Sequence, residues 1–148
     1  MIYNLERFKI AQADCYNRVL QEMQVGKKSS HWMWYIFPQI KGLGKTARSR
    51  KYAIQNADEA KAFLMDELLS ERYIQLTEIL YHGDFGSAQN IFGYPDWMKF
   101  RSSLTLFHLT IKDNAAFHLE NRFDTINLCL EKYFNGVLDE YTINILEK

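Results

Sequence analysis

The stretch that decides the fold is "WMKFRSSLTLFHLTI", residues 97–111. Phe100, Leu104, Phe107 and Ile111 recur at steps of three and four, so a helix gathers them on one face, and the β-branched Thr105, Thr110 and Ile111 do not break that period. Asp96, directly after Pro95, is placed to cap this helix, and Asp113 and Asp124 are candidate caps for its neighbours. Downstream, "TINLCLEKYFNGVLDEYTINILEK" (125–148) predicts one helix stopped by Gly136 and a last helix from about Asp139. Upstream, Ser87 and Gly93 bracket a short "AQNIF" helix.

Working further back, Asn56 and Glu59 have the spacing of a reciprocal cap. The helical period after them runs to Tyr81, either as one helix with a break near Asp66 or as two helices. "TARSRKYAI" (46–54) fits a basic helix or an irregular connector. Asn4 can cap a long first helix in which Leu5, Phe8, Ala11, Cys15, Val19 and Met23 face inward until Gly26. No segment shows the alternation of a half-buried strand, and no Asn-Gly or Asp-Gly hairpin turn occurs. The expected fold is therefore all-α, a compact multihelical bundle forming a single domain over residues 1–148.

The composition narrows the function classes. With 47% hydrophobic and 15% aromatic residues among 148, one substantial core is within reach. Eighteen basic residues balance 18 acidic ones, so no global field draws the protein to nucleic acid or an anionic membrane. No apolar run approaches the roughly 18 residues of a membrane span, and charges interrupt the N-terminus where a secretory peptide needs apolar residues, so a cytoplasmic protein is expected. Cys15 and Cys129, the two cysteines, sit in apolar helical patterns and read as reduced core residues.

Two motifs carry the functional expectation. In "SSHWMWYIFPQ" (29–39) a short helix, with Ser30 as its cap and Pro38 ending it at Phe37, is apolar on all sides. Such a segment is deeply buried or lines a cavity. His31 and Gln39 bring hydrogen-bonding groups into that apolar setting, and His31 is the candidate catalytic residue because an imidazole exchanges protons near neutral pH. Trp32, Trp34 and Tyr35 offer flat ring surfaces to a ligand. In "KFRSSLT" (99–105) Lys99, Ser102 and Ser103 share one flank and Arg101 and Thr105 another, a polar seam beside the core stripe, in which Lys99 or Arg101 with Ser102 and Ser103 is the set to receive a phosphate or carboxylate.

Other chemistries find less support. "RSSLT" lacks the GxSxG elbow of a serine nucleophile. His31, His82, His108 and His118 are scattered without a metal-ligand spacing, so no metal site is expected. "GLGKT" keeps only the Gly-Lys-Thr end of a phosphate loop, and no strand precedes it. The Lys41, Lys45, Arg48, Arg50, Lys51 loop interleaves with aromatics as a single-strand binder's does, but the balanced net charge argues against nucleic acid.

Together, "SHWMWYIFPQIKGLG", "RKYAIQNADEAKAFL" and "IFGYPDWMKFRSSLTLF" resemble the bacterial family known as domain of unknown function 1810, over about Leu5 to Phe134. The resemblance implies a mainly helical single domain and supplies no reaction, cofactor or catalytic residue. Some family members carry the name calpastatin, a disordered protease inhibitor, which a chain this aromatic contradicts. The resulting expectation is a pocket between the two motifs that binds or transforms a phosphorylated or nucleotide-like small molecule. The competing expectation is a non-catalytic helical interaction module whose motifs only pack. The cofactor and the oligomeric state are not legible in the sequence.

Overall fold

Residues 97–111 lie inside the longest helix of the protein. The computed structural model describes residues 3–148, and its helices are α1 (Glu6–Ala13), α2 (Tyr16–Val25), α3 (Met33–Ile36), α4 (Ala47–Tyr52), α5 (Ala57–Met65), α6 (Glu67–His82), α7 (Ala88–Phe92), α8 (Asp96–Asp113), α9 (Asp124–Phe134) and α10 (Glu140–Leu146), with a 3₁₀ turn at Ala115–Phe117. No strand occurs among the described residues. A single parallel bridge joins Ile40 to Ile54, with Lys41 N–H on the Ile54 carbonyl and Ile54 N–H on the Gln39 carbonyl, both at 2.8 Å. Residues 41–53 are thus an excursion that leaves and re-enters the body at one point.

The core is one contiguous apolar cluster built around α8. Phe37, at the end of α3, meets Phe100 of α8 at 4.9 Å between ring centroids, Tyr73 of α6 at 5.3 Å and Phe92 of α7 at 6.0 Å. Phe107, two turns along α8 from Phe100, meets Tyr73 at 4.9 Å and Phe63 at 5.1 Å. Most of these pairs are edge-to-face, the arrangement that aligns a ring's positive edge with its neighbour's negative face. Buried hydroxyls in the core find partners: Tyr73 and Ser103 pair at 2.9 Å, and Thr77 and Thr125 at 2.8 Å.

Helix starts follow the sequence in five places. Thr46, Asn56, Asp66, Ser87 and Asp139 each accept a backbone N–H three residues on. The 46–54 segment is therefore helical in part, and the long stretch after Asn56 is two helices. The Asn56 cap is not reciprocal: Glu59 turns its carboxylate to Gln55 N–H at 2.9 Å and to the Arg7 guanidinium at 2.9 and 3.1 Å. Arg7 also bonds the Asn4, Lys51 and Ala53 carbonyls, so it ties α1, the end of α4 and the start of α5 together.

Several expectations are corrected. The long first helix is broken at Asp14 and Cys15, beside Gln12, whose amide is drawn inward to the Tyr35 carbonyl at 2.8 Å. The apolar period continues through the break, so it left no signal. Cys15 is accordingly half-buried at the break, whereas Cys129 is a core residue. Asn4, Ser30, Asp96, Asp113 and Asp124 do not cap helices; Asp96 is taken instead by the ammonium of Lys28 at 2.8 Å. Phe37→Ala is expected to cost about 3–5 kcal/mol, because four surrounding rings cannot close the space. Urea unfolding measures this, and a loss below about 1 kcal/mol would remove Phe37 from the centre of the core.

Candidate functional site

The site begins with a carboxylate that organises a loop. Gly26 ends α2 at a φ of 80°, and a Cβ there would lie 2.2 Å from the Phe85 ring, so both the backbone and the space require glycine. The chain then turns back over Glu22. That carboxylate is buried and accepts from Ser29 N–H at 2.7 Å, Ser30 N–H at 3.0 Å, Ser30 Oγ at 2.5 Å and Trp32 Nε1 at 2.9 Å. Burial pushes the Glu22 carboxyl up, but the hydrogen bonds from Ser30, Ser29 and Trp32 outweigh it and hold the pKa below its ordinary value.

Lys28 is fixed from the other side. Its N–H bonds the Ile91 carbonyl at 2.8 Å, and its ammonium reaches the Ser30 carbonyl at 2.6 Å and Asp96 at 2.8 Å, with 7% of its side chain exposed. Asp96 opens α8, and Lys99, one turn on, stands 3.8 Å from the same carboxylate. Between this loop and the start of α8 is a hollow of about 380 Å³, lined by Lys28 to His31, Met33 and Trp34 on one side and Tyr94 to Asp96 and Lys99 on the other. That volume falls within the range of small-ligand sites. Trp34 forms its inner wall with two cations over the ring, Arg48 at 5.2 Å and Lys99 at 5.6 Å from the centroid.

His31, Trp34 and Lys99 therefore share one hollow, with His31 exposed at its edge. Gln39 lies in an adjoining niche of about 20 Å³, large enough for a water, that shares Met33, Trp34 and Lys99 as a common wall. The other sequence candidates are elsewhere. Trp32 is 1% exposed and serves Glu22. Tyr35 packs on Tyr52 at 5.2 Å, with its hydroxyl 3.6 Å from Cys15 Sγ and 3.4 Å from the His31 carbonyl; burial and the Cys15 contact push its phenol up.

Ser102 lies 3.0 Å from the Asp139 carboxylate and 3.1 Å from the Met98 carbonyl, and Ser103 is sealed against Tyr73. Arg101 projects from another flank of α8 over Trp97 at 5.7 Å and Phe134 at 5.9 Å. The polar seam thus divides: Lys99 faces the hollow, while Arg101, Ser102 and Ser103 face the body of the bundle. Lys28, Arg48, Tyr94 and Asp96 join the site without having been singled out for it. Of these, the Arg48 spacing within "ARSRKY" was visible, but the pairing of Lys28 with Asp96 spans 68 positions and leaves no local pattern. Among the described residues no three His, Cys, Asp or Glu side chains converge as a metal site, and no helix is long and apolar enough to cross a membrane.

Residues 2–146 match the family described as "Protein of unknown function (DUF1810)". The chain belongs to this family. Its fold is also similar to the crystal structure of the conserved hypothetical protein Rv1873 from Mycobacterium tuberculosis, with 34% identity, a TM-score of 0.89, and coverage of 99% of this chain and 98% of that one. No curated protein matches the chain. The family and this relative support the helical fold, and neither is described with an activity.

Glu22 gives the site a pH dependence with a definite sign. A carboxyl whose pKa is depressed by folding contributes stability above its unfolded value, near ~4.3, and loses it as pH falls through the folded value. Glu22→Gln is expected to lower stability at pH 7 by about 1–3 kcal/mol, since it loses the charge that draws four donors. It should also flatten the fall in Tm below about pH 4.5. Thermal melts from pH 7 to pH 3 measure both, and parallel curves for the two proteins would refute the assignment.

Proposed function

We propose that the hollow between the Lys28–Trp34 segment and the start of α8 binds a small phosphorylated or nucleotide-like molecule. The observation that carries this reading is the Trp34 ring, approached by the Arg48 and Lys99 cations, at the wall of an open hollow. A base or other flat group lies on the ring, and an anionic group is met by Lys99 and Arg48. Lys28 and Lys99 line the hollow with one carboxylate, Asp96, and Arg48 approaches its Trp34 wall from α4, so positive charge exceeds negative there. His31 stands at the exposed edge as the group placed to give or take a proton, should the ligand be transformed. Gln39, in the adjoining niche, is available for a directional hydrogen bond. Trp32, Tyr35, Arg101, Ser102 and Ser103 take no part in this version of the site.

The second reading, a non-catalytic helical module, draws support from those same five residues. Trp32, Ser102 and Ser103 are consumed by internal hydrogen bonds, as motif residues that only build a scaffold would be.

Thermal shift against nucleoside mono- and diphosphates, sugar phosphates and dinucleotides separates the two. A ligand at about a hundred times its Kd adds about 2.7 kcal/mol, or a rise of roughly 5–10 °C in a chain of this size. His31→Ala and Lys99→Ala are expected to reduce that rise by half or more. If no compound shifts the wild type, or if both variants respond as it does, binding at this hollow is refuted and the scaffold reading stands.

A further inference from the structure

The excursion from residue 41 to 53 carries Lys41, Lys45, Arg48, Arg50 and Lys51 and no carboxylate. All five are exposed, and none enters an ion pair among the described residues. In a chain with zero formal net charge, this is a local concentration of uncompensated positive charge. It comes at a structural cost, since like charges one turn apart, as Arg48 and Lys51 are, oppose the short helix that carries them. An external polyanion would relieve that repulsion.

The cations are also set against rings. Arg48, Lys51 and Tyr52 stand at i, i+3 and i+4 of one α4 flank. Arg48 reaches over Trp34, Lys51 lies 5.3 Å from the Tyr52 centroid, and Tyr52 packs at a tilt against Tyr35 at 5.2 Å. Trp34, Tyr35 and Tyr52 are each half-buried, so the core holds them while part of each side chain stays exposed. Rings held this way, alternating with long flexible cations, form the pattern that stacks bases and tracks phosphates without reading sequence.

We infer that this flank is a track for single-stranded nucleic acid, with one nucleotide in the hollow at Trp34 and the strand running out over Arg48 and Lys51 along α4. The inference rests on the small-molecule reading for its first nucleotide and extends it from a monomer to a polymer. Lys41, Lys45 and Arg50 supply the field that draws the strand in. A neutral net charge argued against nucleic acid from composition alone, but the clustering of the cations on one excursion removes that objection.

The test uses the full chain and fluorescein-labelled oligo-dT and oligo-rU of about ten nucleotides, followed by anisotropy across a salt series. In parallel, dTMP and UMP are titrated alone by calorimetry. The oligonucleotides are expected to bind more tightly than the monomers, with log Kobs falling against log salt at a slope of about −1.4 to −2, as two or three phosphate contacts give. Lys51→Glu lies outside the hollow and is expected to weaken the oligonucleotide complex about tenfold or more while leaving monomer binding unchanged. Lys112→Glu, an exposed reversal near the far end of α8, serves as the control and should change either affinity less than about twofold.

Melting curves establish that the variants are folded. Monomer binding without a tighter, Lys51-dependent oligonucleotide complex overturns the track and leaves the small-molecule reading standing. Absence of both overturns the two together. Equal losses with Lys51→Glu and Lys112→Glu, or capture by phosphatidylserine vesicles with no oligonucleotide complex, also overturn the track.

Discussion

A turn of helix that is apolar on every side exists in water only if every side is covered. That constraint, imposed by Met33, Ile36 and Phe37 of the α3 turn with Trp32 before it, shapes much of the architecture. Phe37 reaches the bundle centre, where α6, α7 and α8 each contribute a ring to it. So short a helix cannot satisfy its own backbone, and the surroundings supply what it lacks. Gln12 donates to the Tyr35 carbonyl from α1, and Glu22 holds the approach to Trp32 from α2. The break between α1 and α2 accompanies this arrangement, since Gln12 turns inward where the helix stops. Trp34 is the one aromatic of the turn that looks out through the hollow, which is why the candidate site is a by-product of burying its neighbours.

The buried acids share a common use. Glu22, Glu59 and Asp139 each accept several donors, among them backbone N–H groups that would otherwise be orphaned where one helix gives way to the next. Glu22 sets the loop into α3, Glu59 sets the entry to α5 with Arg7, and Asp139 joins α10 to Ser102 of α8. Carboxylates spent on joints are not available to neutralise surface lysines and arginines. The even balance of the whole sequence thus coexists with a one-signed excursion, because its acidic residues lie on other segments of the chain.

How much of this was legible depends on the range of the interaction. Helix content, the inward face of α8, the Asp66 break and the Asn56 and Ser87 caps are written within four residues of one another, the distance over which a helical period or a cap operates. The identity of the plug was legible for the same reason. What joins distant segments was not. Ser102 and Ser103 read as a polar seam because spacing shows only that a hydroxyl lies beside the core; that Asp139 and Tyr73 wait opposite is a tertiary fact. Lys99 and Arg101 fell on different flanks already from the sequence, since two residues turn a helix by about 200°, but that one flank meets the hollow and the other Trp97 is a tertiary fact. Asp96 looked like a cap and became a counter-ion, since a nearby ammonium competes successfully for a carboxylate that local rules had assigned to the backbone.

The bridge between Ile40 and Ile54 has an architectural consequence. Because the chain departs from the bundle and returns to it through a single doorway, the intervening residues form a closed handle, fastened where Arg7 holds the Lys51 and Ala53 carbonyls and Tyr52 packs beside Phe8. Lengthening a closed loop of this kind costs only about 0.6 kcal/mol per doubling. Its composition can therefore drift, acquire or shed charge, and be retuned to a different client while the helices that anchor it keep their packing.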